Sequence, residues 1–325
     1  MNTSDTARLA SNPLIAWLMN GDVAIQYQAS RDLLHRPELE AQRIQKQIAV
    51  QGWGARFLGK QKSDGHWGVS FYQPKWTSTH YTLLDLKTIG LPQDNPQAQR
   101  AAEMVLEEPA GEDGGINLAK SLKGSDVCVN GMILNYGSYF LSAHQRLREI
   151  IDYLLETQMA DGGWNCRYAD PRTTHSSLHS TLSVLEGMLE YRKASRRYRL
   201  KEIQVAEMKA IEFILRHKLY QSHRTGQTID ERYLRLSFPG RWRYDILRCL
   251  DYLQDAKAHY DPRMKNALDI LTAKRDKDGR WPLQERHKGL VHFHMEKLGY
   301  ASRWNTLRAL RVLKHFSLIE FSPAR

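Results

Sequence analysis

A short turn sequence recurs along this chain and limits what it can fold into. Gln61-Lys-Ser-Asp64-Gly65-His-Trp67 returns as Gln158-Met-Ala-Asp161-Gly162-Gly163-Trp164. A third copy, Asp278-Gly279-Arg-Trp281, keeps Asp-Gly-x-Trp, and Glu112-Asp113-Gly114-Gly115-Ile116 is a degenerate fourth without the tryptophan. The aspartates stand 49, 48 and 117 residues apart, the last gap being about two repeats with one copy eroded. Each copy follows an apolar-periodic stretch such as Ile150-Ile151-Asp-Tyr153-Leu154-Leu155. Asp-Gly turns a chain because glycine accepts positive φ and aspartate bonds its own backbone. A fixed period of this length marks stacked supersecondary units, each too small to bury its apolar face alone.

The second helix of each unit is expected at Asp22–Arg36, Thr79–Ile89, Asp126–Phe140, Thr174–Arg192, Arg241–Asp255 and Ser302–His315. Six such helices, each with a partner, imply six helical hairpins. No segment alternates with period two, so the expected class is all-α with almost no sheet. Nothing among the 325 residues reads as a linker. One domain over 1–325 is expected, with 1–20 as an N-terminal extension.

The apolar run Pro13–Met19 is too short to span a bilayer, and no cleavage-site pattern follows it. Three cysteines, Cys128, Cys166 and Cys249, form no disulfide framework, and a cytoplasmic location is expected. The net charge of +11 points to an anionic partner. Lys and Arg are scattered and no nucleic-acid-binding signature is present, so a small anionic molecule is expected and nucleic acid is not.

Gln-x-x-Asp-Gly-x-Trp resembles the repeat of squalene-type cyclases and protein prenyltransferase β subunits. The resemblance covers roughly residues 20 to 316 and implies an (α/α)6 toroid, whose second helices form the inner ring. Helix N-termini on such a rim suit anions. The resemblance is to the prenyltransferases rather than the proton-initiated cyclases, because no Asp-x-Asp-Asp motif is present. Their zinc and diphosphate segment is similar to Lys120-Ser-Leu-Lys123-Gly-Ser-Asp126-Val-Cys128, which follows Gly114-Gly115. The resemblance implies that Asp126 and Cys128 bind Zn²⁺ and that Lys120 and Lys123 hold a diphosphate. Lys120 stands where the family has Arg, and Val129 where it has a phosphate-contacting Tyr. The third ligand would be His179, or His175 one helical turn earlier, and Cys166 is open as a loop residue or a further ligand.

Asp126, Cys128 and His179 are thus the expected catalytic and metal residues, with the fourth zinc position left for substrate or water. His80, Arg241, Arg243, Tyr244 and Arg303 lie at expected inner-helix starts and are the candidate ligand-binding side chains. The implied function is a zinc-dependent prenyltransferase- or terpene-cyclase-like enzyme handling an anionic, partly apolar ligand such as a prenyl diphosphate. Pooling Cys128, Cys166 and His179 instead resembles the two-Cys, one-His zinc site of lanthionine cyclases, which act on thiol peptides. A non-catalytic binding toroid is the third alternative.

Overall fold

A computed structural model describes residues 12–119 and 124–319. The first helical pair is α1 (Pro13–Met19) and α2 (Val23–Asp32). Helices α3 (Glu38–Gln47) and α4 (Gly52–Leu58) precede α5 (Thr79–Ile89), and α6 (Pro96–Leu106) precedes α7 (Val127–Phe140). Then come α8 (Gln145–Glu156) with α9 (Leu178–Lys193), α10 (Leu200–Arg216) with α11 (Ile246–Asp255), and α12 (Lys265–Ala273) with α13 (Arg303–His315). Helices α2, α5, α7, α9, α11 and α13 form the inner ring. The strands among the described residues are β1 (Trp281–Pro282) and β2 (Ala301–Ser302), an antiparallel pair.

Composition separates the two layers. Outer helix α8 buries one stripe, Leu147, Ile150, Ile151, Tyr153 and Leu154, and leaves its polar face to solvent. Inner helix α7 buries twelve residues, including Met132, Ile133, Tyr136 and Phe140, because it has protein on nearly every side. The turns repeat in atomic detail. Gly65, Gly114, Gly162 and Gly279 all have φ between 81° and 97°, which a side chain would strain. Each repeat tryptophan is buried and sends its indole N–H to the carbonyl ten residues earlier: Trp67 to Phe57, Trp164 to Leu154 and Trp281 to Leu271, all at 2.7 Å.

Ring closure rests on α13 and the first pair. Arg311 bonds Gln28 and Asp32 of α2 at 3.1 and 3.0 Å, and Arg303 donates to the Trp17 carbonyl of α1 at 2.9 Å. Residues 13–19, expected within an N-terminal extension, are therefore the outer partner of the first inner helix. Two expected helix starts also move. The helix expected from 174 begins at Leu178, and the one expected from 241 begins at Ile246. Arg241 has φ +53°, outside the helical region, and Asp245 takes over as the cap, accepting from Arg248 N–H at 2.9 Å.

Helices α7 and α9 come closest. A Cβ on Gly187 would lie 2.3 Å from the Gly131 carbonyl oxygen, so the pair approaches to a distance only glycine allows. That approach brings the N-terminal turns of α7 and α9 together, and the candidate site is built there.

Candidate functional site

Asp126, the residue preceding α7, does not cap the helix with its side chain, and neither does Ser177 before α9. The first N–H groups of both helices are left for other acceptors, and one of them finds a sulfur. Cys128 N–H donates to Cys166 Sγ at 3.5 Å, the two sulfur atoms lie 3.1 Å apart, and Ser180 Oγ is 3.4 Å from Cys166 Sγ. The neighbouring Cys128 thiol, with Ser180 and the Cys128 N–H, holds the Cys166 thiol below its ordinary value. The Cys166 sulfur and burial push the Cys128 thiol well up. Burial raises the Asp126 carboxyl, against the opposing pull of Cys166 and Lys75.

Two cations stand over an aromatic platform beside these thiols. Lys75 Nζ lies 5.6, 5.4 and 5.2 Å from the ring centres of Tyr72, Trp76 and Trp242, and the Arg243 guanidinium is 4.6 Å from the Trp242 ring. Neither has a carboxylate partner among the described residues. The Arg243 Nε and Trp242 Nε1 donors are buried without an acceptor. Burial, with repulsion from Arg243, pushes the Lys75 ammonium down despite the thiols and Asp126 nearby. This mouth of the ring thus presents two thiols in contact, two cations without a carboxylate partner among the described residues, and apolar ring faces.

The structure corrects several sequence expectations. His179 does not join Cys128. Its Nδ1 accepts the Tyr244 N–H at 2.7 Å, and its ring packs edge-on against Tyr233 and Trp242. Since a backbone amide occupies Nδ1, a neutral ring carries its proton on Nε2 and offers no lone pair to a metal. His175 is exposed, and only its carbonyl is engaged, by Asn165. The described residues contain no group of three His, Cys, Asp or Glu side chains able to hold a metal. The closest approach is Asp126 with Cys128 and Cys166, a donor set whose chemistry suits zinc. Two Zn–S bonds of about 2.3 Å in a tetrahedron need sulfurs about 3.8 Å apart, so the 3.1 Å pair does not fit as arranged.

Of the candidate ligand-binding residues, Arg243 lies at the thiol mouth against Trp242, three residues ahead of the helix it was expected to begin. Arg241 is buried against Asp85 at 3.2 Å, which cancels its charge. The Tyr244 ring is buried, and its hydroxyl donates to the Leu219 carbonyl at 2.5 Å. Arg303 leaves the ring axis to stack 4.5 Å above Trp17 at the seam. Lys120 and Lys123 lie outside the described residues. Sequence reasoning missed Lys75, although the aromatic run Phe71-Tyr72-Gln-Pro-Lys75-Trp76 just before an inner helix was a usable signal.

His80 is fully buried, with Nδ1 3.2 Å from the Tyr136 hydroxyl, and is a core residue rather than a ligand contact. Burial, aided by Lys75, pushes its imidazole down from 6.5 to about 3. The folded value is depressed, so the unfolded chain takes the proton first. Stability is therefore full above pH 6.5 and falls as pH drops toward 3, by about 1.4 kcal/mol per pH unit for this group. Urea midpoints measured from pH 6.5 to 4 should show this slope, and His80→Gln should remove one histidine's share. An unchanged slope in that variant would overturn the assignment.

The second mouth, at the C-terminal ends of the inner helices, opens into a cavity of about 1420 Å³. The segment Phe238–Arg241 enters the ring and forms its floor, while Trp242 and Arg243 continue to the thiol mouth. No helix among the described residues is long and apolar enough to cross a membrane.

No protein-family profile and no curated protein matches the chain. Among solved structures, a polysaccharide lyase is 12% identical over 96% of this chain and 97% of its own, with a TM-score of 0.54. A protein from Actinoplanes is 16% identical over 96% and 98%, with a TM-score of 0.48. The type II terpene cyclase MstE from Scytonema, in complex with geranylgeranyl dihydroxybenzoate, is 14% identical over 97% and 99%, with a TM-score of 0.45. The likeness to the lyase extends over nearly the whole of both chains and is one of fold alone.

Proposed function

We propose that the chain is a thiol-dependent group-transfer enzyme working at the Cys166 mouth on an anionic, partly apolar ligand of the prenyl diphosphate class. One observation carries the reading: two thiols in contact, with Cys166 Sγ accepting the Cys128 N–H and touching Ser180 Oγ, lie in the same mouth as two cations with no carboxylate partner among the described residues. Tyr72, Trp76 and Trp242 supply apolar faces for the hydrocarbon part. The Cys166 thiolate takes the proton of an acceptor hydroxyl, water in the simplest case, whose oxygen forms the bond to carbon as the carbon–oxygen bond to the phosphate breaks. The electron pair leaves on the phosphate oxygen, where Lys75 and Arg243 offset the developing charge. Zinc enters no step, because its donors do not fit as arranged.

Calorimetry with inorganic diphosphate tests the anion half. Wild type should bind, and Lys75→Met and Arg243→Met should each weaken binding about tenfold or more, the equivalent of losing one charged hydrogen bond. Release of diphosphate from farnesyl diphosphate tests the chemistry. Cys166→Ala should fall below about 1% of wild-type turnover while still binding diphosphate. Absence of diphosphate binding would sink the reading, and binding without turnover would leave a non-catalytic toroid. Zinc near one per chain, lost in both Cys128→Ser and Cys166→Ser, would restore the metal expectation, with Asp126 in place of His179.

A further inference from the structure

The two thiols in contact carry a chemistry that group transfer does not use. We infer that Cys128 and Cys166 are a site of reversible oxidation, a dithiol that a small peroxide converts to an intramolecular disulfide. Their sulfurs stand 3.1 Å apart. Nonbonded carbons keep about 3.5–4.0 Å, and sulfur is the larger atom, so this contact is tighter than ordinary packing. A sulfur–sulfur bond of about 2.05 Å asks the pair to approach by about 1 Å more.

The surrounding chain permits that approach. Cys128 is held in the first turn of α7, whereas Cys166 lies in the turn between Trp164 and α9, outside any helix or strand. The turn can shift while the helix stays. Both residues are partly exposed, which gives a peroxide access, while Cys249 is fully buried in α11. Attack on peroxide needs a thiolate. The Cys128 N–H donates to Cys166 Sγ at 3.5 Å and Ser180 Oγ lies 3.4 Å from it, contacts that favour charge on that sulfur. An accessible thiolate beside a second thiol is the arrangement of a redox sensor, not of an inert core cysteine.

The Cys166 thiolate attacks one peroxide oxygen, and the sulfur–oxygen bond forms as the oxygen–oxygen bond breaks. Hydroxide leaves, takes the Cys128 proton and becomes water. The Cys128 thiolate then attacks the Cys166 sulfur, the sulfur–oxygen bond breaks, and the second hydroxide takes a proton from solvent. The two thiols thus lose two electrons and two protons, and peroxide becomes two waters. A reducing dithiol reverses the step by exchange. The disulfide also takes the Cys166 thiolate out of use. That loss of turnover rests on the group-transfer reading, and the oxidation itself does not.

Peptide mapping of the full chain tests the inference, after reduction, removal of metal with EDTA and treatment with hydrogen peroxide. The intact protein should lose the mass of two hydrogens. Tryptic peptides 124–146 and 149–167 should run as one cross-linked species that dithiothreitol separates, and peptide 249–257, which carries Cys249, should stay reduced. Cys128→Ser should lose the cross-link and leave Cys166 as a sulfenic acid that dimedone traps. Oxidised wild type should lose turnover of farnesyl diphosphate and regain it with dithiothreitol. If the reduced protein has no turnover, the group-transfer reading fails and the cross-link alone decides this inference. It is overturned if wild type keeps all its thiols, if sulfenic acid accumulates at Cys166 with Cys128 present, or if the bond forms to Cys249.

Discussion

Replacing Asp251 by alanine should destabilise the fold by about 3–5 kcal/mol, the cost of leaving a buried ion cluster without its anion. Asp251 lies on α11 and accepts from Arg308 Nε at 3.0 Å and from Arg311 Nε and Nη2 at 2.5 Å. Arg311 continues to Asp32 on α2, so one carboxylate holds together the fifth, sixth and first inner helices. Both guanidinia are largely buried, with side-chain exposures of 7% and 15%. Without the carboxylate they would face each other in low dielectric. Burial alone would raise the Asp251 carboxyl, but Arg311 and Arg308 outweigh it and hold it below the ordinary carboxylate value of 3.8. Its stabilisation is therefore present above about pH 4 and lost as pH falls below that. Denaturant titrations of wild type and Asp251→Ala should differ by a constant amount from pH 8 to 5 and converge only in stronger acid. A gap below about 1 kcal/mol at pH 7 would mean that apolar packing closes the ring without this cluster.

Much of this seam was invisible in the sequence, and the reason is physical. The Asp-Gly-x-Trp copies are local devices in which turn geometry, the positive-φ glycine and an indole bond ten residues back all lie within one stretch of chain. Periodicity around them placed five of the six inner helices to within about four residues. Asp251 and Arg311, or Cys128 and Cys166, meet only because hairpins distant in sequence become neighbours. Spacing and resemblance could place Cys128 in a site and leave Cys166 open as a further member of it, but not show that the two sulfurs touch while His179 is engaged by Tyr244. Arg241 misled for a similar reason. It was expected on a helix, but Asp245 caps that helix four residues later. The freed segment Phe238–Arg241 then folds into the ring, where Asp85 neutralises the arginine. Charge in a sequence does not reveal whether a partner waits across the core.

Trp164→Ala should also cost about 3–5 kcal/mol, in the range for deleting a buried large aromatic side chain. Trp164 is fully buried between the turn and α8 and makes three distinct connections. Its indole N–H donates to the Leu154 carbonyl at 2.7 Å, its backbone N–H donates to Thr181 Oγ1 at 2.9 Å, and its carbonyl accepts from Ser177 N–H at 2.8 Å. The backbone pair positions the start of α9, and the indole ties the turn to the end of α8. Alanine would keep the backbone bonds but remove the packed volume and leave the Leu154 carbonyl only the long contact from Thr157 Oγ1 at 3.5 Å. Phenylalanine separates these effects. It retains most of the volume and loses the indole hydrogen bond, so Trp164→Phe should cost about 1–3 kcal/mol, with part of it the weakened carbonyl bonding. The degenerate copy offers an internal check, because Ile116 replaces the tryptophan and its N–H bonds Asn130 Oδ1 at 2.9 Å instead. Ile116→Ala should therefore cost less than Trp164→Ala, as no indole bond is lost there. Urea midpoints of the three variants should rank Trp164→Ala lowest. Equal losses for Ile116→Ala and Trp164→Ala would mean that the indole bond contributes nothing and the repeat tryptophan acts by volume alone.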